Sequence, residues 1–278
     1  MMKTLTTLVL FVTLTISGFS QSLNIASYNI RFDSPTDEDN MWEDRAPHLI
    51  NLIKFHQMDI IGTQEGMHHQ LEKMQAELGF PYIGVGRDKG DEEGEFSAIF
   101  YNPDKFELLE EDTFWLSETP DEPSVGWDAQ LPRVCTYGKF KHEEFGEFYV
   151  FNVHYDHVGQ QAREESSKLV MEKIQEINTA EHPVIFMGDM NVTDDNPAYK
   201  TVEEAGMLKD TYHLAPFHSI GPKGTFNAFD WDRLPENRID YIFITNDFEV
   251  IRHGTLSDNY GKKYPSDHFP VLTEIKRK

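Results

Sequence analysis

Apolar, strand-like runs recur along this chain, and six of them end in the same unusual way. The run Val184–Met187 stops at Gly188 and is followed at once by Asp189 and Asn191. Asn29, Glu65, His154 with Asp156, Asp240, and Asp267 with His268 close or follow apolar runs in the same manner. Turn preference explains Gly, Asp or Asn at one strand end. It does not explain carboxylates, amides and imidazoles at every one. A strand end is a rigid mount, so these side chains are expected to face a common pocket. Gly188 is expected to form a turn that projects Asp189 and Asn191 into it.

The strands alternate with a few helices. "LNIASYNIR", "DIIGTQE", "EFSAIFYNP", "PVIFMGDMN", "RIDYIFIT" and "HFPVLTEI" read as strands, and "RVCTYGKFKH" with "EFYVFNVHYDH" as a hairpin around Gly146. Apolar residues at helical spacing mark "EDRAPHLINLIKFHQ", "HHQLEKMQAELGF" with a stop at Gly79, and "QQAREESSKLVMEKIQEIN", with a short helix near Tyr199. "DSPTDEDN", "RDKGDEEGE" and the Trp127-bearing "ETPDEPSVGWDAQLP" read as surface loops. At 278 residues, with 39% apolar residues and no repeat or linker, the chain suits one α/β domain: two packed sheets with helices outside.

Residues 1–20 carry Lys3, an apolar stretch from Leu8 to Ile16, and small Gly18 and Ser20 ahead of a cut after Ser20. The stretch is short for a membrane span, so a cleaved signal peptide is expected, with a secreted or periplasmic protein beginning at Gln21 and no transmembrane anchor left after cleavage. The catalytic domain then occupies 21–278. Cys135 is the sole cysteine, sits in a strand-like run, and is expected to be packed rather than catalytic. Lys and Arg number 25 against 48 Asp and Glu, a formal charge of −23, which repels phosphate polymers at long range. Bound cations reverse that sign locally.

The residue types fit one chemistry. Hard cations such as Mg²⁺ take oxygen ligands and keep several waters, so one or two carboxylates with an amide suffice. Attack on a phosphate ester also needs a base for water and donors for developing negative charge. The motifs "SYNIR", "TQE", "NVHYDH", "GDMN", "RIDYIF" and "SDHFPV" occur here in an order that resembles the endonuclease/exonuclease/phosphatase superfamily, from about Asn24 to Ile275. The resemblance implies a DNase I-like four-layer fold, two mixed β-sheets packed as a β-sandwich and flanked by helices. It implies Glu65 as principal ligand of Mg²⁺ (Mn²⁺ or Ca²⁺ being alternatives), with Asn29 beside it and Asp267 completing the metal region. His268 resembles the histidine that activates water, oriented by Asp240. His154 resembles the second histidine, which binds phosphate or assists the leaving group and is paired with a glutamate, here Glu95. Asp189 and Asn191 resemble the pair that positions the nucleophile and donates to a phosphate oxygen, and Arg133 the phosphate-contacting arginine. Asp156, His157, Arg163 and Trp127 stay unassigned.

The superfamily cuts many phosphate esters. Gly66 and Met67 stand where duplex-cutting members carry an arginine, and the loop "KGDEEG" before Glu95 is acidic. Lys and Arg clusters, which give duplex affinity, are missing. A small, sugar or lipid-linked phosphate ester is therefore the expected substrate of a monomeric hydrolase, and nucleic acid is less favoured. A secreted nuclease, a glycoside hydrolase with paired carboxylates and a non-catalytic binding relative are the alternatives.

Overall fold

The structure, a computed structural model, describes residues 21–217 and 219–278, so the expected signal peptide lies outside the described residues. In chain order the elements are β1 (Leu23–Asn29), α1 (Trp42–Phe55), β2 (Ile60–Gln64), α2 (His68–Leu78), β3 (Tyr82–Ile83), β4 (Ile99–Tyr101), β5 (Glu107–Trp115) and β6 (Val134–His142). They continue with β7 (Gly146–His154), α3 (Gln160–Ile177), β8 (Val184–Asp189), α4 (Pro197–Glu204), β9 (Lys209–Asp210), α5 (Thr211–Leu214), β10 (Asp240–Ile244), β11 (Phe248–Thr255) and β12 (Val271–Arg277). Among the described residues no helix is long and apolar enough to cross a membrane.

The strands form two six-stranded mixed sheets, ordered β11-β12-β1-β2-β4-β3 and β5-β6-β7-β8-β10-β9. Ile25, Ile60, Ile99, Val150, Ile185 and Ile242 pack between them. Leu49, Ile53 and Leu71 of α1 and α2 cover the outer face of the first sheet, and Val170, Ile174 and Val202 of α3 and α4 that of the second. The result is the expected α/β/β/α layering. The helices follow their sequence signals: Glu43 and Asp44 occupy the first turn of α1, and Gly79 ends α2 in the left-handed conformation at φ 72°. Cys135 is fully buried, and burial pushes its thiol well up.

The strands not expected from sequence are the four sheet edges, β11, β3, β5 and β9, and the short α5 was not expected either. β3 and β9 are two residues long, and β5 exposes Glu107, Glu110, Glu111 and Asp112. Short or charged edges resist pairing with other chains, and for that reason carry little hydrophobic signal. The run opening at Glu95 is a strand only from Ile99. Phe96 makes isolated bridges to Gly66 and Gly86 instead, and the Ala98 carbonyl is shared between Thr63 N–H and the Asn152 amide.

Strand direction brings the ends together. β1 and β2 run parallel, connected through α1, and β7 and β8 run parallel, connected through α3. Each parallel pair is flanked by antiparallel strands: β12 and β4 in one sheet, β6 and β10 in the other. The last residues of the parallel strands therefore lie beside the first residues of their flanking strands. A buried polar bolt fixes one sheet on the other. Asn152 of β7 donates to the carbonyls of Thr63 and Ala98 at 2.9 Å each and accepts from Gln64 Nε2 at 2.7 Å.

Gly188 does not form a turn. It lies inside β8 at φ 146°, and a Cβ there would stand 2.1 Å from the Val153 carbonyl oxygen. The glycine is needed because β7 and β8 approach closely just before Asp189. Gly188→Ala should destabilise the protein by about 3 kcal/mol or more, read as a drop in urea midpoint at unchanged slope. Elsewhere, His253 is buried, donates to or accepts from Thr211 Oγ1 at 2.9 Å, and is pushed down to about 4 from 6.5 by burial. The unfolded imidazole takes its proton first as pH falls, so this stabilisation is full above about pH 6.5 and is lost between there and about pH 4. Wild-type protein should lose roughly 2.5 kcal/mol more than His253→Gln between pH 7.5 and 4.5, measured by urea denaturation at both pH values.

Candidate active site

One pocket of about 430 Å³ opens where the strand ends meet. It is lined by Glu65, Glu95, Arg133, His154, Asp189, Asn191, Asp267 and His268, and also by Arg31, Phe32, Arg87, Leu131, His157, Phe226 and Ile239. Asn29 and Asp240 stand just behind this lining, bonded to residues in it. All ten candidate site residues from sequence are therefore gathered at one place.

Each arrives by local structure. Asn29 and Asp189 end β1 and β8, and His154 ends β7. Asp240 opens β10 directly opposite Asp189. Asp267 and His268 precede β12, and Arg133 precedes β6. Glu65 follows β2 with φ 62°, Arg31 follows β1 with φ 58°, and Asn191 follows β8 with φ 52°. Left-handed backbone at side chains other than glycine costs on the order of 1 kcal/mol or more and collects at functional sites. Buried Arg45 holds the loops behind, donating to the carbonyls of Ile30, Arg31 and Pro265, and Ser266 Oγ donates to the Asn29 carbonyl at 2.7 Å.

Asp189 is the hub. Its Oδ2 accepts from Asn29 Nδ2 at 3.0 Å and lies 3.7 Å from Nε2 of both His154 and His268. Its Oδ1 accepts from Asn191 N–H at 2.9 Å. His268 Nδ1 meets Asp240 Oδ2 at 2.9 Å, which fixes the ring and leaves Nε2 toward Asp189. The two histidines differ in their surroundings. Burial opposes the charge on His268, but Asp240 and Asp189 outweigh it and raise the imidazole well above its ordinary value. Burial, then the charges of Arg133 and Arg87, pull His154 well below. Burial and then Asp240 push Asp189 up to about 7.

Ligand atoms of Asp189, Asp240 and His268 all lie within 4.8 Å of one another. As a Mg²⁺ site this trio is poor, because Asp240 already engages the imidazole and Mg²⁺ prefers oxygen. Glu65 and Asp267 form a better oxygen set. Both face Arg31, at 3.8 and 3.9 Å, although that guanidinium is held by Asp37 at 2.9 Å. Burial, and further the charge of Glu65, push Asp267 up to about 6. Two carboxylates so arranged fit a hard divalent cation. Asn29 Nδ2 donates to Glu65 Oε1 at 2.9 Å and its Oδ1 accepts from Arg31 N–H at 3.0 Å, so here the amide positions the glutamate.

Several residues acquire places the sequence did not give them. Arg133 spends Nε on Asp156 at 3.4 Å and Nη2 on His157 at 3.0 Å, and its Nη1 is buried without a partner. Glu95 stands 3.8 Å from His154 but is doubly paired with Arg87, at 2.8 Å twice. Arg31 and Arg87 carried no usable signal: one lies in a quoted motif without a distinct role, the other inside an acidic loop. Arg163 turns inward to the Asp156 carbonyl and Gln160, and Trp127 does not line the pocket. Asp156 is a loop anchor, accepting from the backbone N–H groups of Gln130, Val158 and Gly159 at 2.7–3.1 Å. Asp156→Ala should cost roughly 2–4 kcal/mol by leaving those donors unpaired, and Asp156→Asn less, as compared by chemical denaturation.

The sequence profile of the Endonuclease/Exonuclease/phosphatase family matches residues 26–268. An endonuclease/exonuclease/phosphatase family protein from Bacteroides thetaiotaomicron is 44% identical, with a TM-score of 0.89 over 93% of this chain and 99% of that one. A mannosyl-6-phosphatase from the same organism is also 44% identical, with a TM-score of 0.88 over 91% of this chain and 99% of that one. An uncharacterised protein of Acanthamoeba polyphaga mimivirus is 27% identical over 251 residues, 83% of this chain and 91% of its own length. With two six-stranded sheets, flanking helices and a match across most of its length, this chain belongs to the endonuclease/exonuclease/phosphatase family, whose members are phosphoesterases.

Proposed function

We propose that the protein is a divalent-metal-dependent phosphoesterase that hydrolyses a small sugar-linked phosphate by in-line attack of a water activated at His268. The row Asp240–His268–Asp189–His154, set opposite Glu65 and Asp267 in one pocket, carries this reading. Asp240 holds the imidazole, and His268 Nε2 takes the proton from water. Asp189, fixed by Asn29 and the Asn191 N–H, orients that water. His154, kept neutral by burial and the nearby arginines, serves the far side of the phosphorus as a hydrogen-bonding group. Arg133 Nη1 and the Asn191 amide receive the phosphoryl oxygens. Glu65 and Asp267 would hold the cation, which when bound supplies charge for the phosphoryl oxygens and lowers the proton affinity of His268 beside it.

The sugar-phosphate substrate class rests on similarity to the mannosyl-6-phosphatase and on the net charge of −23, which disfavours a polyanion. Purified protein should release phosphate from hexose 6-phosphates with Mg²⁺, Mn²⁺ or Ca²⁺, lose activity in EDTA, and cut plasmid DNA poorly at moderate salt. His268→Ala should lower kcat by about 10²–10⁴-fold with unchanged circular dichroism. Near-native turnover by that variant, or full activity in EDTA, would overturn the mechanism.

A further inference from the structure

Glu95 and Arg87 sit at the base of the loop that the sequence marks as acidic and solvent-facing. The loop closes on itself: Arg87 N–H donates to the Glu95 carbonyl at 3.1 Å, Gly86 N–H to the Asp91 carbonyl at 2.7 Å, and Trp115 Nε1 to the Arg87 carbonyl at 2.7 Å. That closure turns the Arg87 side chain into the pocket wall, where it is 7% exposed. Its two Nη groups meet the two Glu95 oxygens at 2.8 Å each. A guanidinium has five N–H bonds, and this pairing leaves Nε buried with no partner. Arg133, 4% exposed on the same wall, likewise has Nη1 buried and unpaired. Arg87 and Arg133 thus line one pocket together, and after burial the Arg87 charge is the strongest influence lowering Arg133.

Glu95 and Asp156 offset the two charges, but each guanidinium keeps one buried donor unsatisfied, which is costly unless an incoming anion takes it. We propose that Arg87, positioned by Glu95, is a second phosphate-binding guanidinium beside Arg133, and that the pair selects a terminal, doubly charged phosphate over a diester. The inference rests on the phosphoesterase reading above and sharpens it to a phosphomonoesterase. A terminal phosphate carries nearly two charges and three free oxygens, whereas a diester offers one charge and two. The pocket supplies more donors than a diester can use: Arg87, Arg133, His154 and Asn191. Glu95 acts through Arg87 as a positioning residue.

Methylphosphonate, titrated in buffer alkaline enough to ionise it twice, and its monomethyl ester reproduce the two charge states, and phosphorus NMR checks that the ester stays intact. Calorimetric titration of each into the Mg²⁺-supplemented protein should show methylphosphonate binding at least about tenfold more tightly. Arg87→Met should remove most of that ratio, and Arg87→Lys should keep part of it. Because Arg87→Met strands a buried carboxylate, the double variant R87M/E95M serves as the folded control, and it should also lose the ratio. An unchanged ratio in both Met variants overturns the proposal. Turnover on p-nitrophenyl and bis-p-nitrophenyl phosphate, measured in parallel, separates the two claims. Absence of turnover on both with any of the three cations defeats the hydrolase reading, while the binding ratio still decides the role of Arg87.

Discussion

The hydrogen bond from Asn29 to Asp189 joins the two sheets at the edge that opens into the pocket, and the rest of the candidate site is arranged around it. It is buried, so neither partner can exchange it for water without cost. Asn29 also donates to Glu65, and Asp189 lies between both imidazoles. One amide therefore ties Glu65 to the row of Asp189 and the two histidines. Deeper in the sandwich, Asn152 and Gln64 make the corresponding polar link between sheets. Apolar packing brings the two layers together, but it is non-directional. The directional amide bonds fix how one layer sits on the other.

Strand polarity explains why residues separated by more than two hundred positions meet. A parallel strand can present its last residue at the same edge where an antiparallel neighbour presents its first. Both sheets repeat this arrangement, with a helix crossing between the parallel pair. Asn29, Glu65, His154 and Asp189 arrive at strand exits, and Arg133, Asp240, Asp267 and His268 at strand entries. Rigid mounts of this kind hold a catalytic constellation with little reorganisation.

The pocket holds charges of both signs. Arg31, Arg87 and Arg133 stand among Glu65, Glu95, Asp189 and Asp267 around one cavity. Within it, two buried histidines share one carboxylate at equal distance yet are driven in opposite directions. Asp240 and Asp189 raise His268 against the pull of burial, whereas burial and two guanidiniums lower His154. Such a division lets two identical side chains take different parts in one reaction.

The alternating runs, helix faces and caps determined the central strands, α1 to α4 and the four-layer class, because each depends on periodicity along the chain. Polar residues at strand ends named eight of the ten candidates, since a carboxylate or imidazole closing an apolar run is legible locally, and the family resemblance added Glu95 and Arg133. Among the edge strands, β3 and β9 escaped because two residues make no pattern and β5 because its exposed face is acidic, whereas β11 does alternate, with Phe248 and Val250 buried between the sheets. Only the tertiary structure decided who partners whom. Glu95 stands nearer to Arg87 than to His154 because the acidic loop folds back on its own base. Gly188 is small because β7 presses on it, not because the chain turns there. Arg31 and Arg87 join the pocket through left-handed backbone and loop closure. Hydrophobic patterning reports which way a side chain faces from its own segment, whereas a neighbour contributed by another sheet or loop exists only once the layers have packed.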